Sequence, residues 1–343
     1  MAYSSTAVLA KIIEESVPDL RLKNAVFLDY LSRRGCVVRG DHTDLYWNAI
    51  ATGSQTATAA MSVAGSDQAT GDAIQASLGI GAYKIYHQFS VSLVDMKNAQ
   101  AAGVGKLKNL FKQNITSGML AMRRQLNTYL WSADGTATSA GIVGVGKVLD
   151  NTIPYANIDP AAYSQWKTIT QTNATPRALT RNLLYDFSRS LEEQEVYHDA
   201  LFCSPTMAQT YNVLFDNVAG INAIMGGADR KPEMTDLGYA SRAYNGAPLI
   251  TDPQMPLGQI VGFNTNDIQL ISMDLADADQ GQIQALGLKN NLSSMASAEV
   301  GGLVVNVALL PQSNPGVISF QLLILPQLKV TNRRSIQAIM NLL

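Results

Sequence analysis

Residues 244–271, YNGAPLITDPQMPLGQIVGFNTNDIQLI, set short apolar runs between turn formers and hold almost no side chain a catalyst would use. Gly246 and Gly258 free the backbone, while Pro248, Pro253 and Pro256 restrict it. The pattern therefore reads as short strands held at fixed angles by tight turns. Two turns, Gly246–Pro248 and Asp252–Gly258, are expected to fix adjacent strands. Such chemistry builds a rigid strand platform and leaves little for an active site.

Upstream of this platform, TPRALTRNLLYDFSRSLEEQE reads as an amphipathic helix capped by Thr175, with Pro176 at its first position. DALFCS reads as a buried strand, and SPTMAQTYNVLFDN as a further helix with Ser204 as cap. Earlier still, GIVGVGKVLDNT and YANIDPAAYSQWKTI read as a turn, an apolar segment and a short helix opened by Asp159-Pro160. Downstream, GGLVVNVALL and GVISFQLLIL are β-rich, and a basic tail, KVTNRRSIQAIMNLL, follows.

The longest element lies nearer the N-terminus. From Gly105 to Trp131, Leu107, Phe111, Ile115, Met122, Leu126 and Tyr129 recur at helical spacing, one stripe of a helix of about seven turns. Asp95 is expected to cap a short lead-in helix, with Gly103 and Gly105 breaking the join, and SADGTATSAG ends the long helix. Before it, LYWNAI at Leu45–Ile50 reads as a strand, and AYKIYHQFSVSL as its return, with Ile85, Phe89, Val91 and Leu93 alternating. Between the two lies a run of Ala, Ser, Thr and Gly without a core of its own, so the pair is expected to form a long protruding flap. Residues 1–40 read as an arm, opened by the short helix STAVLAKIIEES and broken at Pro18. No internal repeat is apparent.

The chain has 343 residues, enough for two domains or one elaborated domain. Its hydrophobic fraction of 47% is ordinary, but its charged fraction of 15% is low against about 25% for soluble domains. Since buried interfaces are depleted of charge, the deficit points to extensive contact with other protein. A net charge of −2 argues against a dedicated nucleic-acid binder. Cys36 and Cys203 are too few for a disulfide framework and fit reduced thiols or at most one bridge. The N-terminus lacks the pattern of a signal peptide, and no window reaches roughly 18 uninterrupted apolar residues, so no membrane role is expected.

Tests for chemistry come back thin. His42, His87 and His198 have no Cys, His or carboxylate at metal-ligand spacing, so no metal is expected. GVGKVL at 144–149 lacks the phosphate-loop spacing, and GIGAYK at 79–84 is followed by no helix. No G-x-S-x-G is present, and the acidic cluster Glu192, Glu193 and Glu195 reads as a solvated face. No catalytic residue and no cofactor is implied. One charge pattern stands out. Lys97, Lys106, Lys108, Lys112, Arg123 and Arg124 lie in 96–133 with no acid, while the flap region carries Asp41, Asp44, Asp67 and Asp72 with no Lys or Arg. Opposite signs invite pairing within or between subunits; two independently solvated faces would look the same. Exposed pairs contribute only about 0–1 kcal/mol each, so their use would be steering and register.

In order and in local motifs, the chain resembles the major capsid proteins of tailed bacteriophages, the Johnson fold first seen in phage Hong Kong ninety-seven. The run Tyr129-Leu130-Trp131-Ser132-Ala133-Asp134-Gly135-Thr136 matches a helix ending common there. GIVGVGKVLDNT and YANIDPAAYSQWK resemble the G-[LI]-x-x-[IV]-V turn and the Y-x-x-I-x-R-x-x-x-x-W helix that follows it, with Pro160 where that helix often has Arg. YNGAPLITDPQMPLGQIVGFN resembles the family's F/Y-x-G-x-P-[VIL]-x-x-D-x-x-[MV]-P-x-G-x-[IV] segment. The resemblance runs from about residue 20 to 330.

It implies an α+β coat-protein fold with an N-terminal arm (1–40), an extended flap loop (41–94), a peripheral domain (95–175) with a spine helix at about 105–132, an α/β axial domain (176–300), and a return to the peripheral domain with a C-terminal tail (301–343). The implied role is a structural one, not an enzyme's: pentamers and hexamers forming an icosahedral shell around packaged double-stranded DNA. An encapsulin-type compartment shares the fold, and a soluble oligomeric α/β enzyme is the rival of another class. Implied partners are further copies of the chain, a portal, scaffolding or decoration proteins, and DNA touched without sequence preference; the implied place is the virion, assembled in host cytoplasm. The basic spine residues would face DNA or receive a neighbour's acidic flap. The chain opens directly on its arm, so any scaffolding function is expected either from another protein or to be absent. Some family members cross-link from a lysine in the flap; the flap here, Gly40–Tyr83, has none. Denaturing gels of intact particles are therefore expected to show one monomer band, and a ladder surviving boiling would contradict this.

Overall fold

A computed structural model describes residues 25–40, 42, 44–50, 73–80, 85–94, 97–98, 104–136, 141–163, 166–193, 196–216, 243–275, 295–310 and 316–343. The expected arm helix, the Asp95 cap, Gly103 and the flap tip lie outside them. In chain order the first elements are α1 (Val26–Arg33), β1 (Val37–Gly40), β2 (Asp44–Ile50), β3 (Ala73–Gly79), β4 (Ile85–Ser92), α2 (Val104–Ser132) and α3 (Val145–Leu149). Then come β5 (Ile169–Gln171), α4 (Arg181–Glu192), β6 (Ala200–Cys203), α5 (Pro205–Asp216), β7 (Ala243–Tyr244), β8 (Ala247–Thr251) and β9 (Ile260–Phe263). The last are β10 (Ile268–Met273), β11 (Met295–Val300), β12 (Leu303–Leu309), β13 (Val317–Ile324), β14 (Pro326–Val330) and β15 (Gln337–Ile339). The fold is α+β, as expected.

The chain divides into two compact units, Met1–Thr43 with Ile80–Gly144 and Gln269–Leu328, and Asp44–Gly79 with Val145–Ile268 and Lys329–Leu343. The unit that holds α2 runs to Gly144, and the segments 145–268 and 329–343 share the other unit with β2 and β3. Strand pairing between distant segments draws these lines, and sequence order does not display it.

In the first unit, β11, β12, β13 and β4 form an antiparallel sheet in that order. Phe89 of β4 stacks on Phe320 of β13 at 5.5 Å, and the His87 ring lies against Gly118 of α2. The apolar stripe of α2 is buried at Ile115, Met122 and Leu126, joined by Met119 and Leu130, while Tyr129, read as part of it, is only half-buried. Against it packs α1, with Phe27 and Trp131 at 4.6 Å and the Leu28 N–H donating to Asn127 Oδ1 at 3.0 Å. A second sheet, β1-β10-β14, runs β1 parallel to β10. At its edge Arg39 pairs with the buried Asp274 carboxylate at 3.1 Å, which also accepts from Ser297 Oγ.

The second unit is built on a six-stranded sheet, β5-β15-β9-β6-β8-β7. β6, buried throughout, sits between β8, to which it is parallel, and β9, to which it is antiparallel. The strands β8 and β9, expected to be adjacent, are therefore separated by β6: the Asp252–Gly258 turn steps over a central strand. The Asp252–Gly258 turn is as read, but the turn read at Gly246–Pro248 closes earlier, because Pro248 lies in β8 paired with Ala243. Asn245 and Gly246, at φ 47° and 81°, join β7 to β8 as a two-residue hairpin, and Gly258 also has positive φ. Leu183, Leu184, Phe187 and Leu191 of α4 pack with Met207, Tyr211 and Ile339 over the sheet.

Two helix readings need correction. α4 starts at Arg181 with Thr180 as cap, its Oγ1 accepting from Leu183 N at 3.3 Å; Thr175 lies in an extended segment whose Arg177 bridges Leu342. That backbone pairing holds 176–179 out of the helix. Ser204 caps α5 as expected, accepting from Met207 N at 3.4 Å. Asp159-Pro160 opens a turn and no helix: Asp159 accepts from Ala161 N, and Trp166 is drawn into the core, where its indole N–H donates to Tyr155 O at 3.3 Å. Burying the indole outweighs a single turn of helix, which has little stability alone.

The flap is also paired differently. β2 pairs over its full length with β3, which lies in the run read as coreless, while β4 is claimed by β13. β3 needs no large side chains to pair, because the ladder satisfies its backbone and the small Ala76 packs fully buried. β4 places Phe89 against Phe320, a contact β2 does not offer. Leu93, expected on the strand's apolar face, falls just beyond the strand's end and is exposed.

Candidate assembly surfaces

The described face of α2 that is exposed consists of Lys112, Gln113, Ser117, Ala121, Arg124, Gln125 and Ser132. Gln113, Ser117, Ala121, Gln125 and Ser132 recur at steps of four or seven, with Arg124 three after Ala121, so they share one side of the helix opposite the buried stripe, while Lys112, seven positions before Met119, is exposed on the stripe's own side. The exposed set is polar and small, with cations as its only charges. Lys97 is exposed as well, and the side chains of Lys106 and Lys108 lie outside the described residues. Arg123 departs from the set. It is only 7% exposed, burial lowers its pKa, and the Asp29 carboxylate opposes that shift. Asp29 in turn pairs with Arg33 at 3.0 Å. Arg123 is thus turned into its own unit, because the helix period places it one residue off the exposed face.

On the flap, Asp44, Tyr46 and Asn48 alternate outward along β2, while Ala49 and Ala76 are buried. Asp41, Asp67 and Asp72 lie outside the described residues. The flap root is tied to its own unit: Ser77 N donates to Ala156 O at 3.1 Å, Asn157 Nδ2 donates to Ser77 Oγ, and the Lys329 ammonium sits 5.3 Å from the Trp47 ring. Ala156 and Asn157 both take left-handed backbone, at φ 53° and 62°, which turns the carbonyl and the amide toward β3.

Apolar groups that the sequence reading assigned to no surface are exposed in both units. Tyr86 and Val94 project from the first, and Tyr46, Tyr185, Tyr197, Val213 and Leu257 from the second. Strand alternation around Phe89 and Val91 carries the signal for Tyr86; nothing in the sequence separates Tyr197 or Leu257 from core residues.

The second unit also holds a cavity of about 210 Å³ beside the end of α4, lined by Phe187, Leu191, Tyr197, His198, Tyr244 and neighbours. The His198 ring lies 5.7 Å from Phe187, and both its nitrogens are shut off from water with no hydrogen bond of ordinary geometry. Burial lowers its pKa to about 4, against smaller opposing effects of Asp199 and the Ser335 backbone. Between about pH 6.5 and 4 the unfolded chain binds a proton here that the folded chain refuses. Stability is therefore expected to fall as pH falls through that window, by about 3 kcal/mol at its lower end. His198→Leu should flatten this slope in urea titrations run at several pH values; an unchanged slope would exclude His198 as its source. Among the described residues no group of three His, Cys, Asp or Glu could hold a metal ion, and Cys36 and Cys203 are buried thiols. No described helix is long and apolar enough to cross a membrane.

No protein-family model matches the chain, and no curated protein matches it. Solved structures do. The cyanophage A-1(L) capsid asymmetric unit superimposes with a TM-score of 0.73 at 22% identity, covering 95% of this chain and 96% of that one. The chain has the phage coat-protein fold. The capsid of a native GTA particle is similar at TM-score 0.54 and 11% identity, over 93% of this chain and 91% of that one. The holo-SrpI encapsulin complex from Synechococcus elongatus follows at TM-score 0.51 and 12% identity, over 95% and 90%. On this coat-protein fold, α2 is the spine helix and β2–β3 the root of the extended flap.

Proposed function

We propose that the chain is the major capsid protein of a tailed bacteriophage, assembling as pentamers and hexamers into an icosahedral shell around packaged double-stranded DNA. The observation that carries this reading is the likeness, over nearly the whole of both chains, to the cyanophage capsid subunit. The low charged fraction and the apolar groups exposed on both units support it, since a shell buries such groups between copies. In this reading the protein is structural, with no catalytic residue and no cofactor. Its partners are its own copies, a portal, any scaffolding or decoration protein, and DNA, and its place is the virion after assembly in the host cytoplasm. An encapsulin-type compartment is the second reading, supported by the weaker likeness to the encapsulin shell.

Sedimentation of the purified chain with negative-stain microscopy tests the reading. Shells tens of nanometres across are expected, and a monomer or small closed ring across salt and crowding conditions would overturn it. Nucleic acid inside shells isolated from the native host would favour the phage reading over the encapsulin one. The exposed spine cations are expected to meet phosphate. For Lys112→Gln with Arg124→Gln, the slope of log affinity against log salt for a random duplex should shrink by about two. An unchanged slope would assign these cations to protein contacts instead.

A further inference from the structure

We infer that neighbouring copies join head to tail by seating Leu257 of one copy in the His198 cavity of the next, a contact that rests on the shell reading above. In the second unit β6, β8 and β15 run one way and β9 the other, so the turns divide between two opposite ends of the sheet.

At one end stands a knob. Leu257 is 75% exposed, at the tip of the turn between β8 and β9. Its base is rigid: the buried Asp252 carboxylate accepts from Gln254 N at 2.9 Å, Met255 N donates to Asp252 O, and the Met255 side chain is buried. Leu342 N donates to Gly258 O, and Leu343 N to Arg177 O, each at 2.9 Å. Arg177 therefore lies about two strand spacings, ~10 Å, from the Leu257 turn. Its Nε is buried without a hydrogen-bond partner.

At the other end is the socket. The cavity of about 210 Å³ opens between the end of α4 and the β7–β8 hairpin, under Tyr197, which is 76% exposed. A cavity of about 150 Å³ already admits a benzene-sized group, so a leucine side chain fits. Glu192 lies on the rim and is exposed, while the adjacent Glu193 is engaged by Arg189 at 3.5 Å. Arg177 beside the knob and Glu192 beside the socket are complementary in charge, which orients the encounter. An antiparallel two-fold pair would satisfy both contacts reciprocally and stop at a dimer, whereas the ring that the shell reading requires uses them head to tail, as a heterologous contact that propagates until it closes. Because the knob is held in place before contact, little ordering cost is left for association.

The test uses the full chain carrying Leu257→Cys together with Tyr197→Cys, oxidised and run on non-reducing denaturing gels. Both native cysteines are buried and stay out of the reaction. A ladder ending at a ring-sized species is expected from the double variant, and nothing beyond dimer from either single variant. Leu257→Asp, at a site that touches no core, should raise the critical concentration for assembly at least tenfold with unchanged thermal melting. Arg177→Glu should weaken assembly, with recovery on adding Glu192→Arg. Wild-type shells with no ladder and normal Leu257→Asp assembly would overturn this contact alone. A ladder without shells would uphold the contact and overturn the shell reading. A wild-type monomer with no ladder would overturn both.

Discussion

Arg333→Met is expected to destabilise the chain by about 4 kcal/mol, since two buried charge-assisted hydrogen bonds are lost at about 1.5–3 kcal/mol each. The Arg333 side chain is buried in the second unit. Its Nε donates to Val148 O at 2.6 Å and its Nη2 to Asp150 O, while the guanidinium lies 5.9 Å from the Tyr155 ring centroid. Val148 and Asp150 flank the C-terminus of α3, where carbonyls have no helical partner, so Arg333 satisfies groups the short helix leaves open. Tyr155 is tied into the same cluster by accepting from Val330 N at 2.8 Å. Burial lowers the Arg333 pKa to about 10, with Tyr155 and Asp150 opposing, so the side chain stays charged at neutral pH. Methionine fills much of the volume and leaves the carbonyls unpaired. Arg333→Lys keeps the charge and loses the fork, and should cost about half as much. Urea unfolding of unassembled protein at pH 7 checks this; a loss under about 1 kcal/mol for Arg333→Met would refute the capping role.

Gly144→Ala is expected to cost about 3 kcal/mol, at the upper end of overpacking penalties. A Cβ at this position would sit 2.4 Å from Tyr129 O, 2.8 Å from Leu130 O and 3.0 Å from Ala133 N. All three are main-chain atoms at the end of the spine helix, so no rotamer change relieves the clash. Gly144 N also donates to Ala133 O at 2.9 Å, closing the chain back onto the helix end. An alanine must break that closure, which lies where the first unit ends. A second readout is the near-ultraviolet circular dichroism of Trp131, which is buried just before the closure. The signal should weaken in the variant even where the chain remains folded. A variant that melts like wild type with an unchanged Trp131 signal would show that the closure tolerates a side chain.

Gly144 and Arg333 fall on opposite sides of what a sequence can reveal. Gly144 stands in a GIVGVG segment that reads as a turn from composition alone, and the turn is there. Arg333 stands in a tail that reads only as basic, and is drawn into the core by carbonyls nearly two hundred positions away in the chain. The candidate surfaces divide similarly. Arg124 is legible as exposed because helical spacing sets it opposite the buried stripe, whereas Lys112 shares the stripe's side by spacing and is exposed only in the folded structure. Arg123 is adjacent in sequence and buried, since one residue on a helix is a rotation of about 100°.

Local physics determined a good deal by itself. The period of α2, the all-apolar β6, the Asp252–Gly258 turn and the Ser204 cap each depend on side chains within a turn or two of one another, and each stands where spacing places it. Tertiary structure alone decided the partners. It set β6 between β8 and β9, gave β3 to β2 and β4 to β13, and brought β15 from the tail into the axial sheet. Backbone donors and acceptors are alike in every strand, so a strand is legible from its residues but its neighbour is not. The neighbour is chosen by which pairing buries the most apolar surface with every polar group satisfied, and that depends on the whole chain at once.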